Sequence, residues 1–339
     1  MKNIKLSWYP YTLELKHTFN IAMNSRRSTP AVMVEVDYDG LVGYGEASLP
    51  PYLPEDQKSV NDFLGKINLS GYDDITNLNY ILQDIDKILP GNTAAKASID
   101  IALHDLAGKI KGLPVYKLYN VDKKKVYTSF TIGIDTSEVI LQKLKEADNF
   151  KFLKVKLGSN SDREIISTIR TVTDKPIFAD ANQGWSDREG ALDLIQWLNE
   201  RNVVLIEQPF LKTNLVDTAW LTERSPIPII ADEAVQRLSD IQLLQDIYSG
   251  INIKLMKSTG ILEAYKMIRR ARELGLKVML GCMTETSCAI SAAAQLSSLA
   301  DWVDMDGNIL IKNDLFKGVN GADGTIFPND LPGLGIIKT

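Results

Sequence analysis

Histidine and cysteine are almost missing from this chain: His17 and His104, Cys282 and Cys288 are all that 339 residues contain. Two cysteines cannot build a disulfide framework, and theirs is not a zinc-site spacing, so a reduced, cytoplasmic protein is expected. Two histidines exclude a histidine-rich metal centre. No apolar run approaches the roughly 20 residues that a membrane span needs. The opening Met1-Lys-Asn-Ile-Lys-Leu-Ser-Trp turns polar too soon for a signal peptide. Positive charge is in short supply as well: 38 Lys and Arg against 43 Asp and Glu leave a net charge of −5, which argues against a nucleic-acid partner. No Gly-x-Gly-x-x-Gly and no P-loop follows a strand pattern, which disfavours nucleotide binding.

What is present falls into two regions. Residues 4–16 and 31–47 alternate apolar and polar side chains, with Asp39-Gly40 as a hairpin turn. Residues 57–66, 76–89 and 92–111 read as helices, the last stopped by Gly112-Leu-Pro. Strands followed by helices predict a small α+β domain over residues 1–122. From residue 126 short apolar strands alternate with helical stretches: Tyr127–Gly133, Phe152–Gly158, Pro176–Asn182, Val203–Pro209, Pro228–Ala234, Ile251–Lys257, Lys277–Met283 and Trp302–Gly307. The repeat is about 25 residues, the length of one βα unit, and eight units close a (β/α)8 barrel, expected over residues 123–315. Residues 316–339 are expected to return to the first domain.

In such a barrel chemistry sits where the strands end. Three successive strands end in acids: Asp180 in Phe-Ala-Asp-Ala-Asn, Glu207 in Leu-Ile-Glu-Gln-Pro and Asp232 in Ile-Ala-Asp-Glu-Ala. Acids converging on one rim repel unless a cation neutralises them, and an all-oxygen site suits Mg2+. Lysines flank the triplet: Lys154 and Lys156 share one face of the second strand, and Lys254 ends the sixth. Strands two and six lie across an eight-strand ring from each other. One lysine can therefore take a proton from one face of a carbon while the other returns one to the opposite face. Asp304-Met-Asp306 ends the eighth strand, its two carboxylates placed to hold a protonated amine.

Taken together these residues resemble the enolase superfamily, in its muconate-lactonising subgroup and, within that, the dipeptide epimerases. The resemblance spans nearly the whole chain. It runs from Gly43-Tyr-Gly-Glu-Ala through residues 94–109 to Lys154-Val-Lys156, Asp180-Ala-Asn182, Glu207-Gln-Pro209, Asp232-Glu233 and Lys254. A Lys base beside Mg2+ is the superfamily's known chemistry. The resemblance implies Mg2+ on Asp180, Glu207 and Asp232, Lys156 and Lys254 as the acid/base pair, and Lys154 as a stabiliser of negative charge. It places Thr131, Cys282, Thr284, Asp304 and Asp306 against a dipeptide, with the two aspartates on its ammonium. A homo-oligomer is compatible with it, and Glu285 receives no role. Relatives acting on Ala-Glu carry an arginine in the loop after the first strand; here Met23 or Asn24 stands there, with Arg26 and Arg27 close by. A pocket of Ile21, Met23 and Leu53 predicts Ala followed by a small or hydrophobic residue, with L-Ala-D/L-Glu epimerisation as the alternative. An o-succinylbenzoate synthase-like lyase would share the lysines and the metal but has no ammonium to bind. A non-catalytic barrel binding a small acid would have no use for both lysines.

Overall fold

The computed structural model describes residues 4–21 and 24–339, and the side chains of Phe19, Ile21 and Asn24 are not among what it describes. An antiparallel sheet of Ile4–Ile21, Asn24–Tyr38 and Leu41–Ser48 opens the chain. Its second hairpin turns at Asp39 and Gly40, whose φ of 49° and 88° suit that dipeptide. Ala31, Val32, Met33 and Val34 are all buried, because helix Thr93–Lys111 covers the face of the sheet that would otherwise meet water. Gly43 and Gly45 make that approach possible: a Cβ on Gly45 would stand 1.9 Å from the Ser98 carbonyl oxygen. The helix is buried nearly all round, so its polar residues need partners. Lys96 donates to Asp86 at 2.8 Å, and His104 Nδ1 lies 2.8 Å from the Asp100 carbonyl. Gly112, at φ 65°, ends it as expected.

Among the described residues eight parallel strands follow in ring order: Ser129–Ile132, Phe152–Lys156, Ile177–Asp180, Val203–Glu207, Ile229–Ala231, Gly250–Ile253, Lys277–Gly281 and Trp302–Asp304. A parallel bridge from Thr128 to Val303 brings the last strand back beside the first. The expected strands are all there but shorter at their C-terminal ends. The sixth stops at Ile253 rather than 257, and the eighth at Asp304 rather than 307, because the chain turns away to build the rim.

Inside the barrel Phe178, Leu205, Ile230 and Met279 form a separate apolar cluster. Three of them stand two residues before Asp180, Glu207 and Asp232, on the same inward face of their strands. The plug of the barrel is thus the floor beneath the acids. Residues 316–339 lie against the first sheet and its helix: the Phe316 and Tyr44 rings are 5.4 Å apart, and Leu334 N–H donates to Asp105 at 2.8 Å.

Candidate active site

Asp180, Glu207 and Asp232 converge, one carboxylate oxygen of each lying within 4.8 Å of the others, and all three are buried. Strand geometry delivers the first two. The third is fixed by Gln208, a buried glutamine whose Oε1 accepts the N–H groups of Asp232 and Ala234 at 3.0 and 3.1 Å. Its Nε2 donates to Tyr248 Oη at 2.9 Å. The Glu-Gln-Pro motif therefore carries a ligand candidate and the staple for the next one.

Lys154 and Lys156 rise on the same face of the second strand. Lys154 Nζ stands 2.8 Å from Asp304 Oδ2, 2.7 Å from Glu207 Oε2 and 3.2 Å from Asp180 Oδ2. Burial works to lower its pKa, but those three carboxylates outweigh it and hold the ammonium well above the ordinary lysine range. Lys156 Nζ donates to Asp180 Oδ2 at 2.7 Å. From the opposite side of the ring Lys254 Nζ donates to Asp232 Oδ2 at 2.7 Å. Burial is again overcome, here by Asp232 first, and its pKa also stands well above the usual value. Among the acids, burial and then Asp180 push Glu207 up to about 7. Asp180 and Asp232 are lowered, because their lysines overcome the cost of burial.

One cavity opens above this floor, and Thr131, Lys154, Lys156, Lys254, Cys282, Thr284, Asp304 and Asp306 all line it. Asp304 is tied down on both oxygens, by Ser129 Oγ at 2.6 Å and by Lys154. Asp306 Oδ2 accepts the Thr131 N–H at 2.7 Å, and burial followed by the charge of Asp304 raises its pKa to about 7. Arg26 also lines the cavity, its Nη2 3.3 Å from Thr284 Oγ1 and its guanidinium 5.8 Å from the Tyr52 ring centroid. Leu53 and Tyr52 are in the same wall. Met23 lies outside the described residues. Asn24 is in the second strand of the first sheet, with its side chain outside what is described. Glu285 does not line the cavity. It is buried behind it and accepts the Met283 N–H at 3.1 Å.

Sequence reasoning missed two residues. Lys257 is buried and donates to Asp232 Oδ1 at 2.5 Å, and Asn252 Nδ2 donates to Glu207 Oε1 at 2.7 Å. The signal for Lys257 is its spacing from Lys254 in Ile-Lys-Leu-Met-Lys, which alternation along a strand does not decode.

Two family models match this chain. One described as mandelate racemase/muconate lactonizing enzyme, N-terminal domain, covers residues 8–119, and one described as enolase C-terminal domain-like covers residues 139–337. The chain is similar to the L-Ala-D/L-Glu epimerase of Bacteroides thetaiotaomicron, with 55% identity over 337 residues, 99% of this chain and 88% of the relative. Its structure is similar to a substrate-liganded complex of the L-Ala-D/L-Glu epimerase from Bacillus subtilis, with a TM-score of 0.93, 29% identity, and coverage of 100% of this chain and 99% of that one. It is also similar to the dipeptide epimerase from Enterococcus faecalis V583 complexed with Mg and L-Leu-L-Tyr, with a TM-score of 0.91, 31% identity and 99% of both chains covered. Among the described residues no helix is long and apolar enough to cross a membrane.

Proposed function

We infer that this chain, which belongs to the mandelate racemase/muconate lactonizing enzyme family, is a Mg2+-dependent dipeptide epimerase inverting the α-carbon of the C-terminal residue of an Ala-Xaa substrate. The observation that carries this reading is the meeting of Lys156 and Lys254 in one cavity from strands on opposite sides of the ring. A base on one face and an acid on the other is what inversion by 1,1-proton transfer requires. Lys154, held protonated by three carboxylates, suits the stabilisation of negative charge better than proton transfer.

The acids fit a divalent cation. They present oxygen only, and Glu207 Oε2 is buried and accepts no aligned hydrogen bond from the described residues. Asp180, Glu207 and Asp232 would hold Mg2+, which would supply positive charge against the negative charge that builds when the α-proton leaves, and would draw on the carboxylates that now hold the lysines. Asp306 keeps one oxygen beyond its bond to Thr131 for the substrate ammonium, and Asp304 adds its charge behind it. Thr131, Cys282 and Thr284 wall the dipeptide between them.

For Xaa, Leu53 and Tyr52 support a small or hydrophobic side chain. A second reading, Xaa as Glu, is favoured by Arg26, whose guanidinium in the same wall could pair with a substrate carboxylate, and it fits the name of the 55% identical relative. The working division is a cap of residues 1–122, a barrel of residues 123–315 and a returning segment 316–339, in a cytoplasmic protein. Incubation with a dipeptide library in D2O, with Mg2+ and with chelator, tests the function by mass. α-Deuterium should enter the C-terminal residue of Ala-Xaa peptides only with metal, and an absence of exchange across the library would overturn the reading.

A further inference from the structure

The three acids treat their two oxygens differently. One oxygen of each is tied by a group that is none of Lys154, Lys156 and Lys254: Asp180 Oδ1 by the Asn182 N–H at 2.9 Å, Glu207 Oε1 by Asn252 Nδ2 at 2.7 Å, Asp232 Oδ1 by Lys257 Nζ at 2.5 Å. The other oxygen of each, Asp180 Oδ2, Glu207 Oε2 and Asp232 Oδ2, faces Lys156, Lys154 and Lys254 in turn, each at 2.7 Å. We propose that Lys257 and Asn252 are positioning residues that decide which oxygen of Asp232 and Glu207 is offered to the cation. The proposal rests on the reading that these acids hold a divalent metal.

Lys257 is equipped to be fixed. Its ammonium has three N–H groups, and they go to Asp232 Oδ1, to the Asp232 carbonyl at 2.6 Å and to the Asn252 carbonyl at 3.1 Å. Both residues are buried, Asn252 completely. Asn252 is confined in turn, because the seventh strand passes it with Gly281, where a Cβ would lie 2.6 Å from Asn252 Oδ1. Asn252 thus braces Glu207 with its side chain and Lys257 with its carbonyl, so one short stretch of chain orients two of the three acids.

The sign of the effect separates this role from a plain counter-ion. An ammonium beside a cation site repels the metal, so a lysine present only to balance the acids would leave tighter binding when removed. A positioning lysine leaves weaker binding, because Asp232 is then free to rotate and to give both oxygens to Lys254. Removing the groups that orient metal ligands typically costs about 10–100-fold in affinity. The test is titration of the full chain with Mn2+, without substrate, followed by the loss of the free Mn2+ electron paramagnetic resonance signal, with Mg2+ as competitor. Lys257→Met and Asn252→Leu should each raise Kd at least about tenfold. Lys257→Gln, which keeps one side-chain donor group, should recover part of the loss and carries the test if the Met variant does not fold. Unchanged or tighter Mn2+ binding in the Lys257 variants would overturn the proposal while leaving the metal site standing. A wild-type chain that binds no Mn2+ would sink both.

Discussion

The two sides of the cavity each offer a pair of lysines, and the pairs are built differently. On the second strand Lys154 and Lys156 are two residues apart, and their ammoniums spread over Asp180, Glu207 and Asp304. After the sixth strand Lys254 and Lys257 are three apart, and both grip Asp232. Yet each side pairs one lysine whose ammonium meets three acceptors, Lys154 or Lys257, with one that meets a single carboxylate among the described residues, Lys156 or Lys254. The lesson is that burial and neighbouring acids do not assign a role, since all four lysines have both. The number of filled acceptors does. A saturated ammonium is a fixed charge, and one with a single partner can swing to a substrate.

The sharpest way to break this comparison is to remove the two movable lysines. Lys156→Ala and Lys254→Ala should each cut epimerisation by about 10^3-fold or more. Each variant should still exchange the α-proton of one isomer with D2O, and the two should favour opposite isomers. Near wild-type epimerisation in either variant would end the opposed-lysine model.

Removing what both sides share comes next. Chelation should abolish turnover and Mg2+ restore it, and Asp180→Asn, Glu207→Gln or Asp232→Asn should each cost about 10^2–10^3-fold in kcat with circular dichroism unchanged. Full activity after thorough metal stripping would count decisively against the site.

A smaller effect lies in the wall between the sides. Ala-Ala, Ala-Val and Ala-Glu should be compared by kcat/KM in the wild type and in Arg26→Leu. Leaving a substrate carboxylate unpaired costs about 1–3 kcal/mol, so if Glu is the natural Xaa the variant should lose Ala-Glu by about 10–100-fold and keep Ala-Val. A wild-type preference for Ala-Val, unmoved by the change, would support the hydrophobic reading instead.

The smallest effect concerns stability behind the Lys254 side, where two acids are buried together. Burial, then the charge of Glu46, raises Glu285 to about 8, from an ordinary value of 4.5. The folded state therefore holds a proton that the unfolded chain gives up, and the stabilisation is complete below pH 4.5 and lost as pH rises to about 8. Glu285→Gln should leave Tm nearly unchanged at pH 4 and raise it at pH 8, where the gain in stability is of order 1–3 kcal/mol. A pH-independent difference would show that the pair does not titrate on unfolding.

How much of this could be read from the sequence follows the same division. The eight units follow from the repeat of about 25 residues, the shared face of Lys154 and Lys156 from period-2 alternation, and the fold and the converging acids are where those two rules put them. Lys257 escaped because the strand ends at Ile253 and the chain then turns, reaching Thr259 at φ 59°. Beyond a strand end, spacing no longer says where a side chain points. Asn252 escaped for another reason: a strand asparagine among apolar residues gives no hint that it braces an acid on another strand. Arg26 was named with Met23 and Asn24 in the specificity loop, able to take the place of the missing arginine only if the loop shifts. Its place in the cavity depends on how Asn24–Tyr38 pairs with Ile4–Ile21, where the register shifts between Glu14 and Phe19. Helix Thr93–Lys111 was legible as a helix, but its burial nearly all round was not, because it depends on the barrel packing against it, where the Ile261 N–H donates to Asp100 at 2.6 Å.

Asp105, midway along that helix, has no access to solvent and takes bonds from the Tyr44 N–H at 3.0 Å, Lys109 Nζ at 2.7 Å and the Leu334 N–H at 2.8 Å. Nearby, Lys338 reaches Glu35 across 303 positions of sequence. A ribosome making this chain from the N-terminus would finish the whole barrel before it could supply the partners that complete the first sheet and its helix. The first sheet and its helix, made before the barrel, are therefore among the last to reach their final form, and until then a buried carboxylate waits with two of its three donors. Contacts this distant in sequence slow folding, so the nascent cap is where a chaperone would have the longest time to act.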